Sequence, residues 1–277
     1  MQIAMIDDKI IPANELEPVY FDRGIFFGDG VYEVMRSYNG KIFALEEHLQ
    51  RFTGSLSGVK ITGMDIEMIR SRVLAAFEAA GIANAKIYFH VTRGSQPRNR
   101  VWDTDLKPNF FLTVSEVTDN TEDKTRGIAV STYPDWRWKR CDIKSLNLLA
   151  NVLAANDAAE KGCVESILVN EKGFITEGAG SAFFAVRGQT LQSAPLTANI
   201  LPSITREFVI KAGRNVGLDI VEESLTVEQA AGSDELMIAS TTEDVVGVVR
   251  LDEKVIGDGM PGKYTKLITQ EFFSFTV

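Results

Sequence analysis

The residues of this chain that could do chemistry are lysines, carboxylates, hydroxyls and arginines, because histidine is nearly absent. Only His48 and His90 occur. That is too few for a His-rich zinc site, and a Ser/His/Asp triad would have to use one of them. His48 falls on the helical pattern of LEEHLQRF and His90 on the strand pattern of IYFHVTRG. Both read as structural, so acid–base work falls to another residue type. Lys144 is the first candidate. It sits in RCDIKSLNLL, with Cys141, Ile143, Leu146, Leu148 and Leu149 around it. One reading is a solvated lysine in the first turn of a helix, since ammonium groups are seldom buried without a partner. The other is an amine in an apolar pocket, desolvated enough to be nucleophilic near neutral pH and to form a Schiff base.

Three further stretches have chemical potential. In ITEGAGSAFFAV (175–186), Glu177 ends an apolar strand and precedes a turn of small residues. It is either a strand-end acid in water or a carboxylate aimed into a site where a ligand approaches the backbone. In the second case it could keep a pyridine-type nitrogen protonated. NILPSITREF (199–208) places Ser203 and Thr205 at a helix start after Pro202. That is a natural phosphate site, or an ordinary N-cap by Ser203. ASTTED (239–244) is a similar hydroxyl cluster that alone reads only as a loop. Arg51 follows a helical run, and Arg93, Arg98 and Arg100 crowd TRGSQPRNRVW beside Trp102. Such a group is a solvated basic loop or a carboxylate clamp with bidentate geometry. FDRGIFFGDGVYEV is glycine-rich, but it lacks the lysine and spacing of a Walker loop and precedes a strand, so it is not a nucleotide site.

The elements that must position these groups follow from patterning. VYEVMRSYNGKIFAL has two β-rich arms around Asn39-Gly40, a hairpin signal. LEEHLQRFTGSL has helical spacing, with Leu45, Leu49, Phe52 and Leu56 on one side. DIEMIRSRVLAAFEAAG reads as a second helix closed by Gly81. KIYFHVTRG and NFFLTVSEV read as strands. TDNTEDKT (118–125) is polar and aperiodic, and is the expected linker. Beyond it come the strand GIAVSTY, a helix through Leu146–Lys161, the strands SILVN, GFITE, SAFFAV, LDIVEE and DELMIAS, and a helix over SITREFVIKAGRNVG. The sum is an α/β (α+β) chain of two domains, 1–117 and 126–277, joined by residues 118–125.

Composition narrows the function. The chain has 277 residues, 45% hydrophobic and 24% charged, which suits one large globular domain or two ordinary ones. A net charge of −9 argues against a nucleic-acid or anionic-membrane partner. Cys141 and Cys163 are too few for a disulfide framework and lack metal-type spacing, which fits a reducing interior. MQIAMIDDKI lacks signal-peptide character, and no apolar run reaches membrane-span length. The expected location is the cytoplasm, with no bound metal.

In this order, the stretches DRGIFFGDGVYEV, EEHLQRF, IYFHVTRG, RCDIKSLNLL, EKGCVESILVN, ITEG, ITRE and STTE resemble one family. The chain is similar to the fold-type IV pyridoxal 5′-phosphate (PLP) enzymes, and most to their D-amino-acid aminotransferase branch. Branched-chain aminotransferases and aminodeoxychorismate lyases are related. The resemblance runs from residue 22 to residue 244. It implies a homodimer whose larger C-terminal domain anchors PLP. Lys144 would form the Schiff base and then shuttle the proton between substrate and cofactor. Glu177 would pair with the pyridine nitrogen. Arg51, the N–H groups of Ile204 and Thr205, the Thr205 hydroxyl, Ser240 and Thr241 would hold the cofactor at its phosphate end, with Leu201 against the ring. Tyr32 and Arg98, the latter from the partner subunit, would hold the substrate carboxylate. Val34, Gly180, Ser181, Ser240 and Thr242 would line the pocket.

The implied reaction is ping-pong transamination between a D-amino acid (D-alanine, D-glutamate or D-aspartate) and pyruvate or 2-oxoglutarate. Alternatives are transamination of branched-chain L-amino acids or (R)-amines, lyase chemistry, and a PLP carrier without turnover. The Tyr32/Arg98 pair argues against an amine specialist, and the form of RCDIKSLNLL against the lyase. Two positions depart from the family pattern. Arg100 replaces the histidine usual two residues after the clamp arginine, which implies a preference for acidic substrates. The serine-rich run after TEG is here Ala179-Gly180-Ser181-Ala182.

Overall fold

The computed structural model describes residues 2–118 and 120–277; Asp119, within the segment expected to be a linker, lies outside them. The chain opens with a hairpin of β1 (Ile3–Ile6) and β2 (Lys9–Pro12), then a one-turn helix α1 (Arg23–Phe27). Next come β3 (Gly30–Tyr38), β4 (Lys41–Ile42), the helices α2 (Leu45–Gly58) and α3 (Ile66–Ala80), and β5 (Ala85–Thr92) and β6 (Asn109–Glu116). The four strands form an antiparallel sheet in the order β4-β3-β5-β6. Its tight turn is the expected one, with φ of +49° at Asn39 and +83° at Gly40, as a two-residue hairpin requires.

Strand alternation divides the faces of this sheet. Val31, Met35, Ile87, Phe89 and Val91 are fully buried against Leu49, Phe52, Ile69 and Val73 of α2 and α3. The opposite face carries Tyr32, Val34 and Arg36, with Tyr32 opposite His90 and Val34 opposite Tyr88 across the ladder. α3 is capped as its sequence suggests: Asp65 accepts from the Glu67 N–H at 2.9 Å, and Gly81 closes it in the left-handed region.

After α4 (Thr121–Arg126) the chain builds a larger sheet from β7 (Ile128–Pro134), β8 (Glu165–Val169), β9 (Ile175–Gly178), β10 (Ala182–Arg187), β11 (Thr190–Ser193), β12 (Asp219–Glu222), β13 (Glu235–Ser240), β14 (Asp244–Leu251) and β15 (Lys254–Val255). The strand order is β12-β11-β10-β13-β14-β7-β8-β9, with β15 against β14. The pairs β11/β12, β14/β7 and β7/β8 are parallel and the rest antiparallel. Helices α5 (Leu149–Glu160), α6 (Ile204–Asn215), α7 (Val227–Ala231) and α8 (Lys263–Ser274) accompany it. Both sheet faces are covered. Phe183, Leu236 and Val246 join one core, and Phe184, Met237 and Val245 join another with Val209 of α6 and Phe272 of α8.

Two local expectations need correction. The helix after Lys144 starts at Leu149 rather than Leu146. The reason is that residues 144–146 are hydrogen-bonded to β3: the Tyr32 N–H donates to the Lys144 carbonyl at 2.9 Å and the Leu146 N–H to the Gly30 carbonyl at 3.0 Å. The polar stretch after β6 is partly helical. Glu122 and Asp123 in the first turn of α4 and Lys124 and Arg126 in the last complement the helix dipole. Among the described residues, no helix is long and apolar enough to cross a membrane, and no group of three or more potential ligands could hold a metal.

Candidate functional site

One cleft collects side chains from seven segments. Tyr32 comes from β3, Arg51 from α2, and Lys144 from the irregular stretch before α5. Glu177 lies in β9, Gly180 and Ser181 form the next turn, Leu201 and Ser203 precede α6, and Ser240 ends β13 with Thr241 just after it.

Lys144 is half-buried, and it is not on a helix. Its N–H donates to Ser55 Oγ of α2 at 3.1 Å, and an isolated bridge joins Ser145 to Val31. The backbone is thus fixed from two sides. Ile143 (5% exposed) and Cys141 (6%) flank it, and its Nζ lies 4.4 Å from the centre of the Tyr32 ring. The amine thus lies in the cleft rather than in the first turn of a helix. Burial pushes the Cys141 thiol up to about 11, so it stays a neutral neighbour.

At one end of the cleft stands Glu177, 5% exposed. It is paired with Arg137 and accepts from the Leu201 N–H at 3.0 Å. Arg137 is itself held by Asp135, with Nε at 2.9 Å and Nη2 at 2.8 Å from the carboxylate. Thr176 Oγ1 donates to the same carboxylate at 2.8 Å. Burial raises the Glu177 carboxyl above its ordinary value, and the Arg137 guanidinium and the Leu201 N–H oppose that rise. Against the burial that would lower it, Arg137 is held above its ordinary value by Asp135 and Glu177. Sequence reasoning missed Arg137 and Asp135. The alternating PDWRW after β7 was the only local signal.

At the other end Arg51 donates from Nε to Glu33 Oε2 at 3.0 Å, from Nη2 to Glu33 Oε1, and from Nη1 to the Pro202 carbonyl at 3.1 Å. Glu33 is fully buried. Burial would raise its carboxyl, but Arg51 and His48, the latter 3.4 Å away, hold it well below the carboxylate range. Burial in turn lowers His48. The pairing holds Arg51 at the start of α6. There Ser203 caps the helix by accepting from the Arg206 N–H at 3.1 Å. The first N–H groups, those of Ile204 and Thr205, have no acceptor within the helix.

The turn after β13 is anchored from behind. Buried Asp244, at φ +60°, accepts from Lys124 Nζ at 2.6 Å and from the Tyr38 hydroxyl, and is ion-paired with Arg36 Nη1 at 2.8 Å. Arg36 Nη1 also donates to the Thr242 carbonyl at 2.9 Å. The turn of small residues is anchored likewise. Glu165 accepts from the Gly180 N–H at 3.0 Å and Ser181 Oγ at 2.8 Å, and Asn151 Nδ2 donates to the Ala179 carbonyl at 2.7 Å. Burial raises the Glu165 carboxyl, and these donors oppose it.

A buried carboxylate, a pocketed amine and an anion-binding helix start, in one cleft, suit a ligand with a basic ring nitrogen, a carbonyl and a phosphate. Comparison with known proteins agrees. The family model for amino-transferase class IV matches residues 30–251. The D-alanine aminotransferase of Staphylococcus haemolyticus is 36% identical over 274 residues, covering 98% of this chain and 97% of that protein. That of Bacillus licheniformis is 36% identical over 264 residues, covering 95% and 93%. The chain belongs to the class IV aminotransferases.

Among solved structures, the branched-chain amino acid aminotransferase of Escherichia coli shares the fold, with a TM-score of 0.88 at 22% identity over 97% of this chain and 92% of that one. A second branched-chain amino acid aminotransferase, complexed with N-(5′-phosphopyridoxyl)-L-glutamate, gives 0.86 at 21% identity, covering 97% and 92%. Class IV aminotransferases are PLP enzymes, and Lys144, Glu177 and Arg51 with the α6 start match what that cofactor needs. In this aminotransferase the cleft gathers Tyr32, Arg51, Lys144, Glu177, Gly180, Ser181, Leu201, Ser240 and Thr241. Ile204 and Thr205 lie one and two residues beyond Ser203 of the lining. Val34 and Thr242 neighbour lining residues without lining the cleft themselves. Arg98 and Arg100 are exposed and do not line their own chain's cleft.

Proposed function

We propose that this class IV aminotransferase moves an amino group between a D-amino acid of the D-alanine, D-glutamate and D-aspartate class and a 2-oxo acid such as pyruvate or 2-oxoglutarate. The observation that carries the reading is the placing of the Lys144 amine in one cleft with buried Glu177 and the Arg51–α6 anion site. The near-full-length likeness to D-alanine aminotransferases supports the substrate class. PLP supplies the electron sink that lets a proton leave the amino-acid Cα.

The chain's own residues do the rest. Lys144 Nζ anchors the cofactor, then takes the Cα proton as a base and returns it as an acid. Glu177, backed by Arg137, would accept from the ring nitrogen and favour its protonated form. Arg51, the Ile204 and Thr205 N–H groups, the Thr205 hydroxyl, Ser240 and Thr241 would hold the phosphate, with Leu201 against the ring. Tyr32 holds the substrate carboxylate together with Arg98 of the partner subunit. Gly180 and Ser181 shape the pocket, with Val34 and Thr242 beside it. The exposure of Arg98 and Arg100 fits a homodimer in which each copy completes the other's site. The two sheets are read as two domains joined near residues 118–125. The two free, buried cysteines fit a reducing cytoplasm.

Arg100 of the partner subunit adds a second guanidinium and favours acidic substrates. The test is a panel of D- and L-amino acids with pyruvate and 2-oxoglutarate as acceptors, run on the wild type, Arg100→His and Arg100→Ala. Turnover of D-alanine and D-glutamate is expected, with a raised KM for 2-oxoglutarate in Arg100→Ala. Turnover of L-leucine alone overturns the D-specific reading. An unchanged KM makes Arg100 a surface residue.

A further inference from the structure

The FDRGIFFGDG stretch has no part in the function above, yet Asp22 and Arg23 are buried and Asp29 is half-buried. Arg23, in α1, is 3% exposed. Its Nε donates to Asp29 Oδ2 at 2.7 Å, its Nη1 to the Asn99 carbonyl at 2.5 Å and its Nη2 to the Arg100 carbonyl at 3.1 Å. Asp29 takes a second guanidinium as well. Arg93 Nε lies 2.8 Å from Oδ2 and Nη2 lies 2.9 Å from Oδ1. The remaining donors of Arg93 reach the Lys60 and Val59 carbonyls at 2.9 and 2.7 Å, and its guanidinium lies 4.0 Å from the Trp102 ring centre.

Main-chain bonds continue the seam. Arg23 N–H donates to the Gly94 carbonyl, Arg93 N–H to the Asp29 carbonyl and Gln96 N–H to the Phe21 carbonyl, each at 3.0 Å. Phe27, in the same turn, has the Arg23 guanidinium 4.9 Å and the Arg98 guanidinium 5.3 Å from its ring centre. Two guanidinium groups on one carboxylate leave a buried excess of positive charge. The hub is tolerable because backbone carbonyls take the spare donors. Arg23 therefore spans a carboxylate and two successive carbonyls just after Arg98, a task for a planar fork that an ammonium cannot match.

We propose that Arg23 is a positioning residue for the substrate-carboxylate clamp: it fixes the backbone at Asn99 and Arg100, while Phe27 gives the Arg98 guanidinium a shelf. The loop then presents Arg98 to the second copy's cleft already ordered, which reduces the entropy lost on binding. This rests on the clamp reading given above. Losing one charge-assisted hydrogen bond to the substrate carboxylate weakens binding roughly 10- to 150-fold, and loosening it costs the lower end of that range.

The experiment is a double-mutant cycle on the holoenzyme with Arg23→Lys and Arg98→Ala, reading KM for 2-oxoglutarate, kcat and PLP affinity. Arg23→Lys is expected to raise KM about tenfold, with kcat and PLP affinity within about twofold. In the Arg98→Ala background the same change is expected to add nothing, because coupled residues are non-additive. Additive losses, or a loss confined to kcat or PLP affinity, overturn the positioning role alone. An unchanged KM in Arg98→Ala overturns the clamp reading and this role with it. If Arg23→Lys does not fold, Phe27→Leu replaces it in the cycle, where a rise in KM that vanishes without Arg98 supports the role and an unchanged KM overturns it.

Discussion

Replacing Arg51 by methionine separates what this arginine does for the fold from what it does for the cofactor. Glu33 is fully buried and would lose both Arg51 contacts, keeping only the Val34 N–H at 3.1 Å and His48. Removing one partner of a buried ion pair destabilises by about 3–5 kcal/mol, because the other charge is left uncompensated. Arg51→Met should therefore lose about that much stability in urea unfolding of the cofactor-free protein. Adding Glu33→Gln removes the stranded charge and should recover most of the loss.

Cofactor affinity should not recover. A charge-assisted hydrogen bond to the phosphate contributes about 1.5–3 kcal/mol, so both variants should bind PLP roughly 10- to 150-fold more weakly. The pH dependence gives a second readout. The depressed Glu33 carboxyl contributes stability that is present above the ordinary carboxylate pKa and is lost as pH falls through its folded value. Arg51→Met should shrink that acid-side loss. The reasoning is refuted if Arg51→Met is as stable as the wild type, or if the double variant binds PLP like the wild type.

Glu165→Gln tests the opposite linkage. A carboxyl raised in the fold gives stability that is full at low pH and declines as pH rises through the raised value; the variant should melt no lower than the wild type at pH 7–8 and show a flatter profile, and an unchanged profile contradicts this. Arg137→Met strands Glu177 and Asp135, so a loss of about 3–5 kcal/mol in thermal unfolding is expected, together with a fall in kcat. Ser203→Ala removes the α6 cap and should lose about 1 kcal/mol in urea unfolding. Ser203→Asp should keep the cap but weaken PLP binding, and equal PLP affinity in both variants would separate the helix start from the phosphate.

What the sequence made legible is tied to local patterns. Asn39-Gly40, the α3 caps and the Ser203 N-cap need only neighbouring residues. Glu177 was visible because it ends an apolar strand. Its partner Arg137 was not, because 40 residues separate the two and β7, β8 and β9 must pair before they meet. Glu33 and Arg51 likewise need β3 packed on α2. The helix-start reading of Lys144 came from the leucines after it, yet Leu146 and Leu148 precede α5, and the bonds to β3 that hold this stretch out of the helix are tertiary. VVGVVRL of β14 is covered on both faces and so lacks alternation. Exposed alone, Arg98 and Arg100 have no local signature that separates a clamp from a solvated loop.

The central claim is that the Lys144 amine is the covalent handle of the cleft. Borohydride reduction of the PLP-loaded enzyme, followed by peptide mass mapping, tests it directly. The account predicts one reduced pyridoxyl adduct per chain, on Lys144, and none in Lys144→Ala. An adduct on another lysine, or an active enzyme that carries none, would contradict it.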